Sequence, residues 1–126
     1  MINRDELEDV LSRVAKLGDS QKVHVQLVVF MLRSLARIRH LLPGIGLQSL
    51  QMAERYWLQK VGSPEDLENA RVACWDYLEN TGASVGSETK EQAAMRAVIC
   101  VLYAEPDADD FSVDTVRWFA DLMDRI

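Results

Sequence analysis

Apolar residues recur every three to four positions through most of this chain, and glycine, proline or acidic clusters interrupt them at intervals. That spacing predicts six helices. In the first, Leu7, Val10, Leu11, Val14 and Leu17 follow Asn3, whose side chain can cap the helix while Glu6 reaches back; Gly18 supplies a left-handed stop. The second begins with Ser20 as N-cap and runs to about Leu42, where Pro43 and Gly44-Ile45-Gly46 end it. Its first half, from Val23 to Phe30, also alternates with period two and is β-branched, which suits a strand. A helix is the better reading, because Leu27, Phe30, Met31, Leu35, Ile38 and Leu42 continue one stripe with no turn between them. A helix apolar on most sides belongs in the centre, enclosed by others.

The third helix covers about Leu47 to Val61, with Leu50, Ala53, Tyr56, Trp57 and Val61 inward and Gly62 at its end. In the fourth, Ser63 caps, Pro64 takes the first helical position, and Glu65 and Asp66 complement the helix dipole. Leu67, Ala70, Cys74, Tyr77 and Leu78 form its stripe, and Gly82 stops it. Residues 82–87 form a connector. The fifth helix, about Glu88 to Ala104, is almost wholly apolar from Ala97 onward and should be buried. Residues 105–110 break it. The sixth, from about Ser112 to the end, sets Val116, Phe119, Ala120 and Met123 on one side. An arginine precedes a cysteine in both the fourth and fifth helices, but two such units are too few for a repeat array. The expected fold class is all-α: a single-domain irregular helical bundle of about six helices packed as antiparallel hairpins.

Composition adds little to this, and charge adds more. At 126 residues, 48% hydrophobic and 27% charged, the chain suits one soluble domain rather than a disordered acidic tail. Its first residues, Met1 to Glu6, are charged and lack a signal peptide's apolar run. Val23 to Leu32 is too short to span a membrane, so a cytoplasmic protein is expected. Cys74 and Cys100, both within apolar stripes, then read as buried reduced thiols. Residues 1–60 carry 9 Lys/Arg and 6 Asp/Glu, a formal +3, whereas residues 61–126 carry 5 and 14, a formal −9. A half this acidic repels nucleic acid and attracts basic protein surfaces.

Tests for chemistry point away from catalysis. His24 and His40 lie 16 residues apart on one predicted helix, about 24 Å along its axis, so they cannot share an ion, and no metal or cofactor is expected. Asp107-Ala108-Asp109-Asp110 opens like a calcium loop, but Ser112 stands where the sharp turn wants glycine and Trp118 where a bidentate glutamate is needed. There is no glycine-flanked nucleophilic serine, and the carboxylates sit on exposed helix starts rather than in a cleft. An enzyme is not expected. Arg33, Arg37, Arg39 and His40 could grip phosphate, yet cations near a helix C-terminus offset its dipole, and the overall acidity disfavours nucleic acid. Trp57 and Trp118 sit beside core stripes. Trp75 falls just off its stripe, near Asp76 and Glu79; core packing is the commoner role for tryptophan, but a tryptophan amid acids is also what an interface anchor looks like.

Ala53-Glu54-Arg55-Tyr56-Trp57-Leu58, followed by the stretch from Gly62-Ser63-Pro64-Glu65-Asp66 to Ala73-Cys74-Trp75, resembles the small all-helical immunity proteins of bacterial polymorphic toxin systems. The likeness covers about 25 residues and is structural: an aromatic-ended helix, a short turn, an acidic helix start and an Ala-Arg-rich helix. It implies a cytosolic antidote that binds one cognate secreted toxin domain and blocks it, with no catalytic residue to transfer. Many toxin domains are basic, so an acidic protein can be steered onto them. The expected contact surface joins Glu65 and Asp66 to Glu105, Asp107, Asp109 and Asp110, with Trp75 or Asp76. The alternative is a non-enzymatic helical adaptor or regulatory subunit with another protein partner, a homodimer being one form of it.

Overall fold

The computed structural model of the protein describes residues 2–81, 89–105 and 111–126. Among these the chain forms α1 (Arg4–Val14), α2 (Ser20–Leu35), a 3₁₀ segment (Ala36–Leu41), α3 (Gly44–Leu58), α4 (Pro64–Asn80), α5 (Lys90–Ile99) and α6 (Phe111–Asp124), with no strand. The ambiguous stretch from Val23 to Phe30 is helical. A helix satisfies its backbone internally, and it buries Leu27, Val28, Phe30, Met31 and Leu35 while leaving Lys22, Gln26 and Arg33 exposed.

Neighbouring helices pack as hairpins around one core: α1 on α2, α3 on α4, α4 on α5 and α5 on α6. Cross-contacts of α2 with α3 and α6, and of α5 with α3, close the bundle. Thus α2 is central, as its apolar girth predicts, and α5 shares that place. The Ala97–Leu102 run is buried throughout, although its helix ends at Ile99 rather than near Ala104.

Several helix ends differ from the sequence expectation, each for a local reason. Asp19, not Ser20, caps α2, its carboxylate accepting from the backbone N–H of Gln21 and Lys22. Asn3 caps α1 through the Glu6 N–H, but the helix closes at Val14, ahead of Gly18. The long second helix tightens into 3₁₀ geometry after Leu35. Ser34 Oγ donates to the Phe30 carbonyl one turn back, a bond that bends helices, and Ile38 leaves helical geometry (φ −115°, ψ 15°) while staying buried. The third helix starts at Gly44, a turn earlier than Leu47, because Pro43 ends the preceding segment in extended backbone. Gly46 then lets α3 approach α5 closely: a Cβ there would lie 2.5 Å from Met95 Sδ.

The α3–α4 turn is the least expected. Lys60 takes the left-handed position (φ 58°), and the Val61 N–H returns to the Arg55 carbonyl at 3.0 Å, closing the helix end. That conformation costs a non-glycine residue about 1 kcal/mol. Gly62 (φ 103°) follows as a second special residue. The cap of α4 is reciprocal: Ser63 Oγ accepts from the Asp66 N–H, and Asp66 Oδ2 accepts from the Ser63 N–H at 3.0 Å. Thr89 and Gln92 repeat this box at α5.

Candidate functional site

The outer face of α4 carries the feature that core packing does not explain. Glu68, Val72, Trp75 and Glu79 follow at helical spacing and form one stripe, with Glu65 a turn earlier and Asp76 alongside. Leu67, Cys74 and Leu78 are buried on the opposite face, which fixes the helix's rotation. Val72 is 52% exposed and Trp75 37% exposed. The four flanking carboxylates, Glu65, Glu68, Asp76 and Glu79, are all exposed, and none pairs with another described residue.

Of the residues the sequence singled out, Glu65, Trp75 and Asp76 lie on this face. Asp66 is half-buried, and its carboxylate is engaged in the α4 cap, so its charge serves the helix start. Glu105 is brought to the same end of α4. A groove of about 340 Å³ is lined by Pro64, Glu68, Arg71, Tyr103, Ala104 and Glu105. Glu105 thus shares a groove with Pro64 and Glu68 at the start of α4, while Glu65 and Asp66 do not line it. Asp107, Asp109 and Asp110 lie outside the described residues.

Arg71, noted in the sequence only as the arginine before Cys74, ties α4 to the residues after α5. Its guanidinium donates to the Leu102 carbonyl at 3.0 Å and sits 4.4 Å from the centre of the Tyr103 ring. One cation thereby satisfies a backbone acceptor beyond the end of α5 and stacks on an aromatic face. The available signal was the isolated arginine in an otherwise acidic and apolar helix.

The other acids of the second half are partly accounted for. Arg4 bonds Asp121 and Asp124, tying the start of α1 to the end of α6, and Arg117 pairs with Glu8. Tyr77 donates its hydroxyl to the Glu91 carboxylate, which holds the phenol above its ordinary range. In the basic group, Arg39 pairs with Glu54, while Arg33, Arg37 and His40 are exposed.

A polar cluster lies inside the bundle. His24, which the sequence excludes only from sharing an ion with His40, is 1% exposed. Its Nε2 is 2.6 Å from the Tyr103 carbonyl and its Nδ1 is 2.8 Å from Ser112 Oγ. A carbonyl can only accept, so Nε2 carries the proton and Nδ1 accepts from the Ser112 hydroxyl. Trp57 meets the imidazole edge to face at 5.6 Å, and its own N–H donates to the Val101 carbonyl at 2.9 Å. Burial pushes the His24 pKa down, against the pull of the Tyr103 hydrogen bond. A serine held against an imidazole is the arrangement of an activated nucleophile, but Ser112 is 3% exposed and lines none of the described cavities. The geometry joins α2, the segment after α5 and α6.

Cys74 and Cys100 are free and buried, and burial raises both thiols above their ordinary range. Among the described residues no group of three or more His, Cys, Asp or Glu is placed to hold a metal ion. No helix among them is long and apolar enough to cross a membrane. Compared with protein-family models, curated proteins and solved structures, the chain matches none of them.

Proposed function

We propose that this chain is an immunity protein that binds a basic toxin domain and blocks it, using the outer face of α4 as the contact surface. The observation that carries this reading is the Val72–Trp75 pair, exposed on α4 between four carboxylates that pair with no other described residue. An apolar centre with a charged rim is the anatomy of a protein-binding patch. The acidic rim accelerates encounter with a basic surface, and the desolvated tryptophan slows release. The groove at Glu68 and Glu105 extends the same negative surface.

On this reading the neighbouring upstream gene is expected to encode a large secreted protein with a distinct C-terminal domain. Co-expression with this chain is then expected to restore growth of cells producing that domain, and the two should form a stoichiometric complex. The triple change Glu68→Lys, Asp76→Lys and Glu79→Lys alters exposed side chains only. It should slow association roughly ten- to a hundredfold while leaving the helical signal unchanged. Absence of growth protection, or protection that survives this triple change together with Trp75→Ala, would refute the proposal.

A further inference from the structure

The exposed large apolar side chains among the described residues are Leu17, Leu58, Val61, Val72 and Trp75. Val72 and Trp75 belong to the acidic face of α4. Leu17 belongs to a second surface of opposite charge. Three adjoining concavities run along α2. The first, about 130 Å³, lies against α1 and is lined by Val10, Arg13, Val14, Leu17 and Gln26. The second, about 240 Å³, shares Leu17 and Gln26 and adds Gln21, Lys22 and Val25. The third, about 390 Å³, shares Val25 and reaches Tyr56, Trp57, Lys60 and Gly62 on α3 and its turn. Leu58 and Val61 flank Lys60 in the chain.

This groove has an apolar floor and three cations, Arg13, Lys22 and Lys60, and no carboxylate lines any part of it. None of the three cations pairs with another described residue. Lys60 presents its side chain here from a left-handed backbone position that glycine would occupy without strain. A groove of this kind suits a rod with an apolar centre and carboxylates along its edges. The outer face of α4 is such a rod.

We propose that the chain associates head to tail with a second copy of itself, the acidic outer face of α4 on one copy seating in the basic apolar groove beside α2 on the next. Contacts of this kind join two different patches, so each copy keeps one groove and one α4 face for further neighbours unless the assembly closes. The net charge of −6 opposes assembly at long range, and salt screens that repulsion over about 10 Å, whereas the seated pairs are closer and partly dehydrated. Because α4 is also the face assigned to a toxin, self-association and partner binding exclude one another. The self-association itself does not depend on that assignment.

Sedimentation equilibrium of the pure chain tests this without any partner, so its result is independent of the toxin reading. The weight-average mass of the wild type is expected to rise above the monomer's 14.3 kDa with concentration. Arg13→Glu with Lys22→Glu and Lys60→Glu makes both surfaces acidic, and Glu68→Lys with Asp76→Lys and Glu79→Lys makes both basic. All six side chains are exposed, so the fold is retained, which circular dichroism checks. Each triple variant alone should stay at the monomer mass, and an equimolar mixture should recover the wild-type rise, since every acidic surface then meets a basic one. A wild type that stays monomeric at all concentrations, variants that associate alone, or a mixture that stays monomeric would overturn the proposal.

Discussion

Replacing His24 by alanine removes the one side chain that bonds both Ser112 and the Tyr103 carbonyl. Ser112 is 3% exposed and cannot recover its loss from water. A buried donor or acceptor left without a partner costs about 1–3 kcal/mol, and the Ser112 hydroxyl is left so. The void left by the ring adds to this, so His24→Ala should cost about 2–4 kcal/mol, a large share of the roughly 5–15 kcal/mol a domain possesses.

The same site gives a pH signature. The folded pKa is depressed below the ordinary 6.5, so the native state holds His24 neutral where the unfolded chain begins to take up a proton. The stabilisation is complete above that value and is lost as pH falls below it, at a limiting rate of about 1.4 kcal/mol per pH unit. Among the described residues no carboxylate bonds the imidazole to reverse the sign. Urea unfolding followed by circular dichroism, at about pH 7.5 and about pH 5.5, measures both effects. The wild type should lose more stability than His24→Ala between the two, because carboxylate terms are common to both and cancel in the difference. An equal loss in the two proteins, or a cost for His24→Ala below about 1 kcal/mol at the higher pH, would refute the buried neutral clamp.

Two further predictions follow from the packing. Gly46→Val should destabilise the protein by about 1–3 kcal/mol in the same unfolding assay, because the new Cβ would drive into Met95, itself fully buried, and crowd Leu42. A thiol reagent should leave Cys74 and Cys100 unmodified in the native protein and label both in urea, since burial disfavours the reactive thiolate at each; rapid native labelling would contradict it.

Helix count, helix type and most core faces were legible because they are local properties. A stripe such as Leu67, Cys74 and Leu78 has one face to bury, and Ser63-Pro64-Glu65-Asp66 specifies a helix start with only its own atoms. Boundaries were less legible, since caps compete within a residue or two: Asp19 outranked Ser20, and Lys60 turns the chain into the left-handed region two residues ahead of Gly62. The carboxylates could be counted from sequence, but their roles could not be assigned. Asp66 turns inward to its cap, and Asp121 and Asp124 are held by Arg4 from the far end of the chain.

The sequence by itself determined an all-helical chain with a central second helix, an acidic second half and Trp75 set apart from its core stripe. Tertiary packing alone decided that His24 would be buried against Ser112, that Arg71 would bond the Leu102 carbonyl and stack on Tyr103, and that Arg13, Lys22 and Lys60 would line adjoining concavities beside α2. The physical reason is range. Helical periodicity and capping act over a few residues, whereas these placements join positions tens of residues apart, whose meeting depends on how the helices stack.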